Sequence, residues 1–256
     1  MMRENPLKAK LKAGETLVGS FHPMPSPAIV EVYGLVGFDF VLLDAEHGPG
    51  SVESVEAQVR AADAVNLPVV VRIAENTPQN ILRHLDTGVL GVQLPMVNNG
   101  AQAKAVVDSV KYPPVGKRGL AGMRANGYGL MGSLGDYTRL ANANTLVSVQ
   151  VETQEAIDHL EEILAVDDVD VVFIGPNDLA TSLGYPGESA NPKVLDVIDG
   201  LVARIHAGGR ACGITAYDSA GIKRAKDWKI QFILGGTLPL LITASRGYLK
   251  EVREGL

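Results

Sequence analysis

Eight short runs of β-branched and apolar residues recur along the chain, each closed by a polar or glycine-rich turn. They are TLVGSF (16–21), DFVLLD (39–44), LPVVVRI (67–73), GVQLP (91–95), LVSVQVE (146–152), VDVVFIG (169–175), RACGIT (210–215) and IQFILGG (230–236). Most are continuous rather than alternating, the pattern of strands covered on both faces, as in a parallel sheet. Segments of helical period lie between them. In EAIDHLEEIL, Ile157, Leu160 and Leu164 share one stripe while Asp158, His159, Glu161 and Glu162 take the other side. VESVEAQVRAADAV arranges Val52, Val55, Val59 and Ala62 in the same way. Strand followed by helix, repeated about eight times in 256 residues, predicts an α/β fold, a (β/α)8 TIM barrel occupying residues 1–256 as one domain. The competing architecture is a doubly wound sheet, but eight strands in one open parallel sheet is large for this length.

A barrel places its chemistry at the C-terminal ends of the strands, so the polar residues at those ends are the candidates. Strand two ends in Asp44, Glu46 and His47, strand three in Arg72, strand five in Gln150 and Glu152, and strand six runs through Gly175 and Pro176 into Asp178. Glu152 and Asp178 form a pair able to hold a hard divalent cation; the alternative is that each caps the helix following it. Arg72 closes an otherwise apolar strand, where a guanidinium needs an anionic partner. That partner is either a substrate carboxylate or enolate, or a structural mate such as Glu75 or Asp44. His47 follows Asp44 by three residues, near enough for the carboxylate to orient the imidazole as an acid/base pair. No lysine occupies a strand end, which removes the residue that Schiff-base chemistry requires. The stretch 112–136, between strands four and five, is rich in glycine and lacks a clear period. Loops this long are commonly functional.

Composition narrows the classes further. With 23 basic against 29 acidic residues, a formal net charge of -6 and no basic run, nucleic acid is excluded as an expected partner. No apolar run is long enough to cross about 30 Å of hydrocarbon, and the polar start MMRENPLKAKLK does not read as a signal peptide. A lone cysteine, Cys212, suits a reducing compartment. The expectation is a cytoplasmic enzyme without membrane contact.

FDFVLLDAEHGP, VVVRI, VSVQVET and FIGPNDLA, in this order and spacing, resemble the class II pyruvate aldolases of the HpcH/HpaI family, which cleave 4-hydroxy-2-oxo acids to pyruvate and an aldehyde. The resemblance spans nearly the whole chain and takes in PPVGKRGLAG. It implies that Glu152 and Asp178 bind a divalent cation such as Mg²⁺, Mn²⁺ or Co²⁺, that Arg72 holds the pyruvyl oxygens, and that Asp44 and His47 form the acid/base dyad. It also places Gln150 beside the metal and assigns the backbone amides of Asn177 and Asp178 to the substrate carboxylate. Whether His47 or a water it polarises is the base stays open. Asn177, Ala180 and Thr215 depart from the family pattern, which leaves the pyruvate half intact and the aldehyde half undefined. Arg124 and Tyr128 of the glycine-rich stretch are expected near the aldehyde.

Three other readings share parts of this pattern: a lyase acting on a coenzyme A thioester, a phosphosugar-type barrel using ILGGT (233–237) as a phosphate loop, and a non-catalytic binding barrel. Leu238, Leu240, Leu241 and Ile242 crowd the C-terminal stretch with more apolar surface than a monomer's terminal helix needs. A subunit contact is expected there. The resemblance implies a hexamer built from dimers that exchange C-terminal helices.

Overall fold

A computed structural model describes residues 4–254. All eight predicted strands form, each within two residues of its expected ends: β1 Leu17–His22, β2 Phe40–Asp44, β3 Val69–Arg72, β4 Gly91–Leu94, β5 Leu146–Val151, β6 Val171–Ile174, β7 Ala211–Thr215 and β8 Phe232–Gly236. They pair in parallel in sequence order, and β8 closes on β1, giving a (β/α)8 barrel.

The alternation of side chains along each strand sorts the core into two layers. The outer one packs Val41, Leu43, Val71, Val149 and Ile174 against the surrounding helices. The inner one stacks Phe40, Phe173, Phe232 and Leu42 inside the barrel. Two strand glycines make room for these rings: a Cβ on Gly19 would lie 2.4 Å from the Phe40 ring, and one on Gly213 would lie 2.6 Å from Phe173. The first helix, α1 (Pro6–Lys12), closes the floor with Leu7 and Leu11.

Going up β5, the inward row reads Leu146, Ser148, Gln150 and then Glu152. The interior therefore changes from apolar at the floor to acidic at the mouth. Its polar members are mutually satisfied, because the Gln93 amide donates to Gln150 Oε1 at 2.8 Å and the Ser148 hydroxyl donates to Gln93 Oε1 at 3.1 Å.

Two sequence expectations are corrected. The helix read over 155–164 is two short ones, α7 (Gln154–Asp158) and α8 (Leu160–Leu164), broken at His159, whose ring bonds Glu162. The glycine-rich stretch does not approach this chain's own mouth. It follows α5 (Gly100–Val110), so it begins at the floor, and Arg124 donates to Asp63 in the last turn of α3 (Val52–Ala64) and to the carbonyl of Thr87, the residue after α4 (Pro78–Asp86). Tyr128 accepts from Arg60 on the outside of α3. A 3₁₀ turn at Arg124–Gly129 and α6 (Leu134–Asn144) give the stretch structure of its own.

Candidate active site

The mouth holds a cavity of about 490 Å³, and Asp44, His47, Arg72, Gln150, Asp178 and Thr215 all line it, together with Asn177. No lysine lines it. The arginine is the most tightly held group. Asp44 and Arg72 are register partners across β2 and β3, which puts their side chains on the same inner face. Arg72 Nε donates to Asp44 Oδ1 at 2.9 Å, and Nη2 donates to Oδ2 at 2.6 Å. Nη1 lies 3.0 Å from Glu46 Oε2, and the guanidinium sits 4.6 Å above the centre of the Phe21 ring. Two carboxylates and an aromatic face fix a buried cation at the end of β3.

This geometry revises the role expected for Asp44. Its Oδ1 also accepts the backbone N–H groups of Glu46 and His47 at 3.1 and 3.3 Å. Both carboxylate oxygens are thus engaged, and the imidazole of His47 is not among their partners. Burial pushes the Asp44 carboxyl up, but the hydrogen bonds and charge of Arg72 outweigh it and hold the group below its ordinary value. The His47 ring is two-thirds exposed, and its Nε2 stands 3.8 Å from Glu46 Oε2. The carboxylate beside the histidine is therefore Glu46, which the sequence placed at the strand end without a role. Alternation offered the signal: Glu46 follows Asp44 by two.

Glu152 is buried, one residue beyond β5. Its Oε1 accepts the N–H of Met96 at 2.8 Å and its Oε2 accepts the Gln150 amide at 2.6 Å. It does not cap the helix after it, since Thr153 does so by accepting from Ala156. Nor does Asp178 act as a cap: it lies in the first turn of α9 (Pro176–Ser182), whose N-cap is Gly175. Burial raises the Glu152 carboxyl, and the charges of Asp178 and Glu46 push it the same way against the Met96 N–H. Burial likewise raises Glu46, opposed by Arg72 and His47.

These residues suit a divalent cation. Mutually repelling carboxylates converge on one rim, and Gly175 leaves the Glu152 carboxylate its space, because a Cβ there would lie 2.4 Å from Oε2. Among the described residues no group of three or more His, Cys, Asp or Glu side chains is arranged for a metal. A cation held by Glu152 and Asp178 would therefore complete its shell from water or substrate oxygens, as Mg²⁺ commonly does.

The family model for HpcH/HpaI aldolase/citrate lyase matches residues 17–230. The chain belongs to the HpcH/HpaI family. Among curated members, it is 38% identical to a hydroxypyruvate/pyruvate aldolase of Roseovarius nubinhibens over 91% of this chain and 90% of that one. It is 37% identical, with the same coverage of both chains, to a 5-keto-4-deoxy-D-glucarate aldolase of Salmonella paratyphi C. An HpcH/HpaI aldolase/citrate lyase family protein from Burkholderia cenocepacia superposes with a TM-score of 0.92 at 34% identity, covering 97% of this chain and 99% of that one. The HpcH/HpaI chain described here is accordingly a carbon–carbon lyase of the aldolase class, in a family generally dependent on a divalent metal.

Proposed function

We propose that this chain catalyses the reversible retro-aldol cleavage of 4-hydroxy-2-oxo acids to pyruvate and an aldehyde, with a divalent cation (Mg²⁺, Mn²⁺ or Co²⁺) held by Glu152 and Asp178. The observation that carries this reading is Arg72, a guanidinium locked by Asp44, Glu46 and Phe21 on the wall of the same cavity as Asp178. Cleavage moves the electrons of the C3–C4 bond onto the C2 oxygen, so an oxyanion grows where the substrate had a neutral carbonyl. A fixed cation beside that oxygen stabilises the transition state more than the ground state and needs no reorganisation at the moment of reaction. A divalent ion, when bound, would add Lewis-acid stabilisation of the same charge.

The first-turn N–H groups of Asn177 and Asp178 have no intrahelical acceptor and are available to the substrate's C1 carboxylate, while Gln150 orients Glu152. Proton traffic falls to His47, directly or through a water it polarises. Its exposed ring lies on the cavity wall and can take the C4 hydroxyl proton as the bond breaks; the enolate is then protonated at C3 to give pyruvate. Glu46, rather than Asp44, is the carboxylate placed to stabilise the imidazolium. Thr215 would contact the aldehyde half.

A pyruvate-release assay over a panel of 4-hydroxy-2-oxo acids tests this, run after chelation and again with each cation restored. We expect activity to vanish on chelation, to return with metal, and to be lost in Glu152→Ala. Full activity without metal, or in that variant, would sink the reading.

We read the working enzyme as a cytoplasmic homo-oligomer, a hexamer on the family pattern, that exchanges its C-terminal helix between subunits. The last helix, α12 (Thr237–Glu254), buries only Thr237, and Leu241, Ile242, Tyr248 and Leu249 are exposed. Beside it, Val18, Phe38, Ile222 and Ile233 line an apolar groove of about 650 Å³ against β1 and β8, where a regular barrel seats its eighth helix. A helix that leaves its own groove open and its own apolar face bare supports a second copy as the occupant of both.

A further inference from the structure

Glu152 is held at the mouth by two strings of hydrogen bonds, one to each carboxylate oxygen, and both strings run back into residues that the mechanism above does not use. The first string is buried. Gln150 donates to Glu152 Oε2 at 2.6 Å, Gln93 donates to Gln150 Oε1 at 2.8 Å, and the Ser148 hydroxyl donates to Gln93 Oε1 at 3.1 Å. All four side chains are at most 2% exposed. The second string passes through the backbone. Met96 donates its N–H to Glu152 Oε1 at 2.8 Å, and the carbonyl of that same peptide group, which belongs to Pro95, accepts from Asn76 Nδ2 at 2.7 Å.

The direction of the buried string is forced from its upper end. An ionised carboxylate only accepts, so Gln150 must turn its NH2 group toward Glu152 and its carbonyl toward Gln93. Gln93 must then give its NH2 group to that carbonyl, which leaves its own carbonyl for the Ser148 hydroxyl. Each amide is thereby satisfied at both ends in one orientation. Without the Gln93 donor, the buried carbonyl of Gln150 would stand unpaired, at a cost that favours any other placement of the amide. Gln93 therefore fixes Glu152 by fixing Gln150.

The backbone string relies on an unusual turn. Met96 has a φ of 55°, in the left-handed region that residues with a side chain seldom adopt. Such a conformation persists only where its surroundings over-determine it. Here the Pro95–Met96 peptide is gripped at both poles, because a trans peptide points its carbonyl and its N–H in opposite directions, and Asn76 takes the one while Glu152 takes the other. Asn76 is an exposed residue between β3 and α4, Pro95 and Met96 follow β4, and Glu152 follows β5. The string ties three consecutive strand ends together.

We propose that Asn76 and Gln93 are positioning residues for Glu152: each holds, from behind, the donor that fixes one of its two carboxylate oxygens, so that the carboxylate meets a divalent cation already oriented. The inference rests on the reading of Glu152 as a metal ligand. Each oxygen keeps a lone pair for the cation, since a carboxylate oxygen offers about two acceptor sites and one is used by its string.

Two measurements on the full-length protein test this. The first is calorimetric titration with Mn²⁺. Removing a direct support of a metal ligand costs about 10- to 100-fold in affinity, and Asn76 and Gln93 act one bond further out, so Asn76→Ala and Gln93→Met should each weaken binding by about 3- to 10-fold. The two losses should multiply in the double variant, because the strings end on different oxygens, whereas Gln93→Met and Gln150→Met should not multiply, because they break the same string. Asn80→Ala, at the start of α4 and bonded to the carbonyl of Glu75 instead, should bind as wild type does. Should Gln93→Met fail to fold, Ser148→Ala takes its place and should shift the affinity in the same direction. The second measurement needs no metal: hydrogen exchange of the Met96 N–H, followed by mass spectrometry. Exchange should quicken at least about tenfold in Asn76→Ala and stay at the wild-type rate in Gln93→Met. Wild-type Mn²⁺ affinity in either single variant, losses that fail to multiply across the two strings, or unchanged Met96 exchange in Asn76→Ala overturns the proposal. If the wild-type protein binds no Mn²⁺, the metal-ligand reading of Glu152 fails on its own, and Met96 exchange still decides whether Asn76 holds the Glu152 donor in place.

Discussion

Arg72 concentrates what a single residue does in this molecule. Its bidentate contact with Asp44, its third contact with Glu46 and its stacking on Phe21 depend on a planar fork, which lysine lacks. We therefore expect Arg72→Lys to keep its charge and still lower kcat/KM for pyruvate release about 10²-fold or more, measured by coupling pyruvate to a lactate dehydrogenase assay. Near-wild-type turnover would mean that charge alone suffices. His47 poses a different question, since its imidazole neighbours Glu46 and not Asp44. Glu46→Gln should alter the pH profile of kcat attributable to His47, whereas Asp44→Asn should act chiefly by loosening Arg72 and so raise KM as well. A pH profile unchanged in Glu46→Gln and displaced in Asp44→Asn would restore the dyad read from the sequence.

At the scale of elements, the turn from β6 into α9 is where backbone shape and chemistry meet. Gly175 follows the last residue of β6, stands at the N-cap of α9 and leaves the Glu152 carboxylate its space. Alanine there must displace that carboxylate. Gly175→Ala should weaken Mn²⁺ binding in calorimetric titration and reduce activity by about 10- to 100-fold, as loss of a supporting contact around a metal ligand does, with far-UV circular dichroism unchanged.

The floor carries the opposite kind of buried charge. Lys111, at the end of α5, is fully buried, and its ammonium donates to the carbonyls of Asn142 and Thr145. Burial lowers its pKa to about 8, aided by the nearby charge of Lys8 and opposed by Asp170 and Asp168. Below pH 8 the lysine is protonated whether the chain is folded or unfolded, and the folded state carries the burial cost. Above that pH the unfolded chain, titrating near 10.5, binds the extra proton, so this group makes stability rise with pH, by at most about 1.4 kcal/mol per unit. Cys212, whose thiol burial raises to about 12 from 9.0, opposes that gain above pH 9. Urea denaturation between pH 8 and 9 should show the rise in wild type and not in Lys111→Met. Parallel profiles in the two proteins would assign it elsewhere.

For the whole molecule, the open question is what covers α12 and the groove beside β1. Neither surface suits a lone chain in water, because each leaves contiguous apolar area exposed. We expect sedimentation velocity to give a species several times the single-chain mass. Leu241→Asp combined with Leu249→Asp should drive it toward the single chain while the barrel stays folded. An assembly indifferent to both substitutions would place the subunit contact on another face.

The sequence by itself determined the barrel, its eight strands to within two residues, and the rim on which the site is built, because strand period and strand ends are local properties of the chain. It also carried the reaction class, through the resemblance of the motifs around Asp44, His47, Arg72, Glu152 and Asp178 to the HpcH/HpaI aldolases; the strand ends alone left these residues open to structural roles. It did not determine pairing within the rim. That Asp44 clamps Arg72 follows from the register of β2 on β3, and that Glu46 is the carboxylate beside His47 follows from the path of the turn after β2; both are contacts between segments. The glycine-rich stretch illustrates the same limit. Its length and composition marked it as unusual, but only the position of α5 decided that it begins at the floor and that Arg124 serves Asp63 and Thr87.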